Sequence, residues 1–408
     1  MSELVIPPHV PQHLVRDFKY RDQPDGRFDP HAAWKRLHDG PDIIWSPHYG
    51  GHWILTRAAD IKAALLDHER FSSREVAIPV PPRTAPNAPI QFDRPDHTRL
   101  KAMGIPAFGP QAIGKIEPEI RSLANSLLDE VIDSGRCEFV GDFSLRLPIE
   151  TFMKMAGMPL KDRTMLLEWM EISMRSPDIG ARDTVQTSLN EYARNVLEDR
   201  LRQRGSDLVS ELCDAAPDGR KATYDELLGY VRLLMAAGLD TVSSGMTFIM
   251  RFLAESARHR RQLLDDPSLI PNAVEEMLRR FGVSTPSRIV ARGCVFNGVE
   301  MREGDMVLIP VTMGGLDERV FENPLEVDFR RPNIAQSLVF GTGIHRCIGS
   351  FLARIELRIG LEVWLKRVGD FSLVPDAPPA GVAGLVNSLT YLPLQWVPPS
   401  CRGEPVAA

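Results

Sequence analysis

One stretch, Thr223 to about Glu255, limits the possible folds more than any other. Thr223 and Glu226 stand at capping-box spacing, so a helix starts there. A helix of this length spans about 45–50 Å at a rise of 1.5 Å per residue. Its middle, Leu233 to Ile249, is apolar nearly all round and has no surface face to offer. The rest of the 408-residue chain must therefore wrap around it. Arg232, Asp240 and Arg251 interrupt the apolar run, which argues against a membrane span.

The flanking pattern is consistent with such a core. Residues 1–30 are rich in proline and charge and are expected to form an extended surface arm. Ala32 to His38 and Arg57 to Leu66 read as short helices. Between them, Asp42 to Thr56 reads as a β-hairpin turning at His48-Tyr49-Gly50-Gly51. Pro79, Pro81, Pro82, Pro86, Pro89 and Pro95 crowd residues 72–95, and a loop this long in a compact domain is usually functional. From Asp96 to Arg204 the pattern is mainly helical, as in Ile116 to Ser134 and Leu189 to Gln203. Pro177 and Gly180 break it, so 174–188 joins 72–95 as a candidate substrate-access loop. Pro271 to Phe281 reads as a helix, Arg288 to Val311 as short strands around Asn297-Gly298 and Gly304, and Val386 to Trp396 alternates again. The expectation is one catalytic domain over 1–408, mainly α with a small β-rich part.

Composition narrows function by exclusion. The net charge of −6 gives no basic field for nucleic acid. Five scattered cysteines fit a reducing compartment better than a disulfide framework. The first residues show neither a signal pattern nor a membrane anchor, so a cytoplasmic location with no membrane association is expected.

Chemistry concentrates in Phe340-Gly341-Thr342-Gly343-Ile344-His345-Arg346-Cys347-Ile348-Gly349. An amphipathic run, Ser350 to Val368, follows with Leu352, Ile355, Ile359 and Val363 on one face. Cys347 thus precedes a helix N-terminus, where the dipole and free amides favour a thiolate. The glycines let the backbone turn sharply and let a flat ligand approach. A thiolate held this way suits iron. A lone cysteine is more often a small buried hydrophobe. A nucleotide loop is a poor match, because Arg346 occupies the place of the sixth-position glycine. Zinc would need more ligands at short spacing, and no C-x-x-C occurs. The whole pattern F-x-x-G-x-x-x-C-x-G resembles the haem-binding loop of the cytochrome P-450 superfamily, the haem-thiolate monooxygenases.

Three further stretches carry the same resemblance, in the superfamily's order. Ala237-Gly238-Leu239-Asp240-Thr241 places a carboxylate, a hydroxyl and a glycine in one turn of a buried helix, which suggests a local opening of that helix. Its likeness to the oxygen-binding stretch implies that Thr241 bonds dioxygen at the iron and that Asp240 gates protons. Glu276 and Arg279 resemble the E-x-x-R brace behind the haem loop. His97, Lys101, Arg288 and His345 match positions that hold the propionates of haem b, with lysine at 101 where arginine is usual. Gly315-Leu316-Asp317-Glu318-Arg319, Val327-Asp328-Phe329 and Leu239-Asp240-Thr241-Val242 are similar to the bacterial camphor-hydroxylase branch.

The resemblance implies haem between the long helix and the cysteine loop, and hydroxylation with dioxygen. It also implies electrons from a two-iron ferredoxin and its NADH-dependent reductase. That ferredoxin is expected on a cationic face made by Arg99, Lys101, Arg346 and Arg354. Leu233, Ala237 and Thr241 share one helix face. Resemblance adds Ser284, Thr285, Leu385 and Val386 as pocket walls. None of these is charged. The branch anchors camphor with a tyrosine before the His97 segment, whereas Ala85 falls near that place here. Thr84, Asn87 and Gln91 offer only weaker anchors. A small terpenoid ether or alcohol, or a norisoprenoid, is favoured over camphor, so cineole- and ionone-like molecules come first. The alternative is a haem-thiolate protein that only binds a ligand or isomerises it; the intact Asp240-Thr241 pair speaks against that.

Overall fold

The computed structural model describes residues 6–22, 29–80, 85–175, 178–398 and 401. The long helix, Tyr224–Glu255, runs through the middle of the main core. Thr223 caps it as its sequence requires: its hydroxyl accepts from the Glu226 amide at 3.3 Å, and its own amide donates to Glu226 Oε2 at 2.8 Å. It is long and apolar enough to cross a membrane, yet it lies mostly inside the protein. It packs against helices Arg146–Met155, Ile179–Arg202, Ile270–Arg280 and Ser350–Arg367. Glycines set the spacing. A Cβ on Gly360 would lie 3.1 Å from Met246 Cε, and one on Gly238 would lie 3.2 Å from the Phe152 ring. Gly238 therefore serves close packing, and the helix runs unbroken through Asp240 and Thr241 rather than opening there.

A second core lies under a five-stranded sheet. Its spatial order is Ile43–Ser46, His52–Leu55, Met306–Leu308, Ser287–Val290 and Phe71–Ser72. The expected hairpin forms the first pair. His52–Leu55 then pairs in parallel with Met306–Leu308, placing Trp53 opposite Val307. Asn297 and Gly298 both take positive φ, as a tight hairpin turn demands. A smaller sheet joins Arg136–Glu138 to Pro393–Trp396 and Phe371–Leu373. The N-terminal segment is tied down more firmly than a surface arm: Val15 bridges to Trp45, and Leu14 and Tyr20 are buried.

The break expected over 174–188 is narrow. Helices Arg163–Arg175 and Ile179–Arg202 occupy most of it, because Asp178 caps the second at once by accepting from the Gly180 and Ala181 amides. Residues 176 and 177 lie outside the described residues.

Glu276 and Arg279 form the brace that their spacing suggested, both about 1% exposed. Arg279 donates to both Glu276 oxygens at 2.8 Å and to the carbonyls of Gly315, Pro324 and Glu326. Glu276 also accepts from Arg331 Nε at 2.9 Å and the Asp328 amide at 3.0 Å. Removing the arginine takes the Arg279 donors from a buried carboxylate, leaving Oε2 unpaired, and strands three carbonyls inside the protein. Arg279→Ala should lose about 3–5 kcal/mol of unfolding free energy, read from the denaturant midpoint.

Glu356, on the helix after the cysteine loop, is 1% exposed, and its Oε1 has no partner. Burial pushes its carboxyl up to about 8, and a hydrogen bond with Thr151 opposes that only in part. The folded state thus holds a proton that the unfolded state releases between roughly pH 4.5 and 8. Stability should fall with rising pH there, by at most about 1.4 kcal/mol per pH unit from this group. Glu356→Gln should flatten that slope in denaturation curves and gain most at pH 8. An unchanged slope would show that the carboxyl ionises normally.

Candidate active site

The cysteine loop is built by its own backbone. The Cys347 amide donates to the Phe340 carbonyl at 2.9 Å and the Arg346 amide to Gly343 at 3.2 Å. Gly341 and Gly343 take φ of 67° and 70°, where a side chain is strained. A Cβ on Gly343 would also start 2.8 Å from the Leu65 carbonyl. Lys101 clamps the loop from outside, its ammonium bonding to the carbonyls of Ile344 and Arg346. Two of its donors thus serve the loop backbone.

Cys347 keeps exposed surface although protein atoms surround it densely. Burial pushes its thiol above the ordinary value, while the Gly349 amide, Lys101, Arg354 and Arg346 pull the other way. Burial thus opposes the helix terminus, which the sequence reading credited with favouring a thiolate. A metal cation held by Cys347 would tip the balance, since a coordinating thiol is deprotonated outright.

Beside the loop, His97 and His345 meet with ring centroids 4.1 Å apart. Both are held neutral. Burial and nearby Lys101 pull His97 down to about 4; burial, Arg288 and His97 pull His345 to about 2. His97 Nδ1 and His345 Nε2 are buried without partners. Arg288 is 5% exposed, and burial pulls it to about 10. It bonds to its neighbour's carbonyl, Ser287, at 2.7 Å. His68, which sequence reasoning missed, adds to the field on both histidines. Such a cluster is short of acceptors and of negative charge. A group carrying two carboxylates relieves both deficits, so these residues fit haem propionates.

On the long helix, Ala236 and Ala237 are exposed in the middle of an otherwise buried stretch. Thr241 Oγ1 donates back to the Ala237 carbonyl at 3.1 Å. Asp240 is 4% exposed. Ser388 Oγ donates to its Oδ1 at 3.5 Å and meets the Ser244 hydroxyl. Neither serine was legible as a site residue, because the contact joins distant segments. Among the predicted walls, Ser284 and Val386 form an isolated bridge, and Leu385 is 39% exposed. Thr285 is buried, with its hydroxyl committed to the Gly384 and Leu385 carbonyls. Leu233 is half-buried on the same helix.

The loop preceding His97 folds onto the long helix. A Cβ on Gly229 would lie 2.4 Å from the Pro86 carbonyl, so only glycine admits the loop there. Asn87 and Gln91 are engaged with each other through the Asn87 amide and Gln91 Oε1 at 2.9 Å. Thr84 lies outside the described residues.

The expected cationic face is largely neutralised. Arg99 is buried against Glu226, and Arg354 pairs with Glu275 over the Phe340 ring. Of the four cations named, Arg346 alone is exposed. Leu66, Ile105 and Phe351, near the loop, are 46–53% exposed.

Comparison with known proteins agrees with this geometry. The family model described as "Cytochrome P450" matches residues 149–377. The probable cytochrome P450 127A1 of Sinorhizobium fredii is 31% identical over 402 residues, covering 96% of this chain and 97% of that protein. The crystal structure of CYP101J2 superposes with a TM-score of 0.87 at 33% identity, over 96% of this chain and 100% of that one. CYP101C1 does so with a TM-score of 0.89 at 32% identity and the same coverage. Likeness of this extent in both sequence and structure is likeness of family, and the chain belongs to the cytochrome P450s, the haem-binding monooxygenases.

Proposed function

We propose that the protein hydroxylates a compact, mostly apolar terpenoid, with electrons from a two-iron ferredoxin and its NADH-dependent reductase in the cytoplasm. The observation that carries this reading is the small, uncharged set Leu233, Ala236, Ala237 and Thr241, of which the two alanines are exposed in the middle of a buried helix. In this scheme Cys347 is the iron ligand, and His97, Arg288 and His345 hold the propionates. The haem supplies oxygen activation when bound. The chain's own residues orient the substrate, exclude water and manage protons. Thr241 Oγ1 can swing from the Ala237 carbonyl to offer its proton to the cleft. Asp240, held by Ser388, stands next to it as proton source. A terpenoid ether or alcohol, or a norisoprenoid, fits these walls, because no wall side chain offers a strong anchor for a single ketone.

Four outcomes test the proposal. Cys347→His should abolish the red-shifted Soret band of the reduced carbon monoxide complex; if the band persists, another residue is the ligand. Thr241→Ala should keep substrate binding and NADH consumption but release much of the oxygen as peroxide, and unchanged coupling would sink the proton role. Because Arg99 is paired with Glu226 and Arg354 with Glu275, first-electron transfer from a ferredoxin should vary less than about threefold between low and physiological salt. A steep salt dependence would instead restore the four-residue cationic face as the docking site. In a low-to-high-spin titration, cineole or ionone should shift the spectrum more tightly than a fatty acid or a steroid; the reverse order would overturn the substrate class.

A further inference from the structure

Arg232 has no place in the scheme above. It lies on the long helix, one residue before Leu233 and one turn before Ala236, where an apolar side chain would suit the helix. It is half-buried. Its Nη2 donates to the Ala85 carbonyl at 2.7 Å and less closely to Pro86 at 3.4 Å. Its Nε is buried without a partner. Among the described residues no carboxylate lies within ion-pair distance of it. Arg194 repels it and Asp225 attracts it from farther off, and burial lowers its pKa.

A guanidinium has five N–H donors in a flat fork. Two loop carbonyls engage one corner of it. The rest is a partly desolvated cation with a spare donor and no counter-charge, which is costly unless something acidic arrives. A carboxylate answers both needs, through a charge-assisted, paired contact. Position sets the rest of the ligand. Ala237 lies five residues on, about 7–8 Å along the helix axis and roughly 140° around it, so the path between them crosses the helix surface obliquely. Leu233 and Ala236 line the way. That span matches a ten-carbon skeleton with its acid at one end.

We propose that Arg232 is a substrate anchor: it takes the carboxylate of a small terpenoid acid whose far end is the carbon to be oxidised. The proposal rests on the reading above that the cleft accepts compact terpenoids, and it refines the uncharged walls by adding a charge at their outer end. Arg232 also fastens the 85–88 segment to the helix, so a purely mechanical role is the rival to defeat.

Spin-state titration of the haem-loaded protein separates them, using perillic acid, its methyl ester and limonene, which share one skeleton. The acid should bind at least tenfold tighter than limonene, with the ester between them. Arg232→Gln, which can still hold the Ala85 carbonyl, should weaken the acid at least tenfold and limonene less than twofold. Arg232→Lys should restore part of the acid affinity. The carbon monoxide band confirms that each variant is folded. Equal weakening of acid and limonene in Arg232→Gln would make the residue a loop fastener and overturn the proposal. So would a limonene shift with no acid shift in the unmodified protein. A shift with the acid alone upholds Arg232 and refutes neutral terpenoids as substrates. No shift with any of the three refutes both.

Discussion

A helix without a solvent face governs this molecule. Tyr224–Glu255 has to be enclosed on every side, and other helices do so closely, with Gly238 against Phe152 and Gly360 against Met246. Enclosure makes any polar residue on that helix expensive. Asp240, Thr241, Ser243 and Ser244 are therefore held by neighbours or by their own preceding turn, and none is a casual presence. The site follows from that economy: the face left to Ala236 and Ala237 is small and open, and the hydroxyls and the carboxylate sit at its edge.

Around the cysteine loop, the electrostatics are arranged for a guest with negative charge. Two histidines are kept neutral by burial and by each other's neighbours, and Arg288 is sunk with little to bond. Even Cys347 is held above its ordinary pKa in the protein alone. Each group is in a poor state by itself and in a good one beside a dicarboxylate carrying a metal cation, which is how a site can be preformed and still bind tightly.

What could be read from sequence was local. The capping box, the hairpin, the Asn297–Gly298 turn and the glycine loop around Cys347 are fixed by residues a few positions apart, and all appear as expected. The Glu276–Arg279 pair was legible, but its grip on three distant carbonyls was not. Misreadings came from counting residues without their partners. Pro177 and Gly180 signalled a wide gap, and one aspartate closed it. Four basic residues signalled a charged face, and Glu226 and Glu275 neutralised two of them. Ser388 and Arg232 matter through contacts made across more than a hundred residues, and no periodicity reports those.

Both larger sheets pair strands that are far apart in the chain. His52–Leu55 borders Met306–Leu308, and Arg136–Glu138 borders Pro393–Trp396. Such pairings have high contact order, so loop closure delays them. On the ribosome, the first of these strands emerges long before its partner has been translated. Until then the hairpin keeps an open edge of unpaired amides and carbonyls, with Trp53 and Ile54 beside it. The nascent N-terminal third is thus an aggregation hazard through most of synthesis, and a holding chaperone has its natural target there.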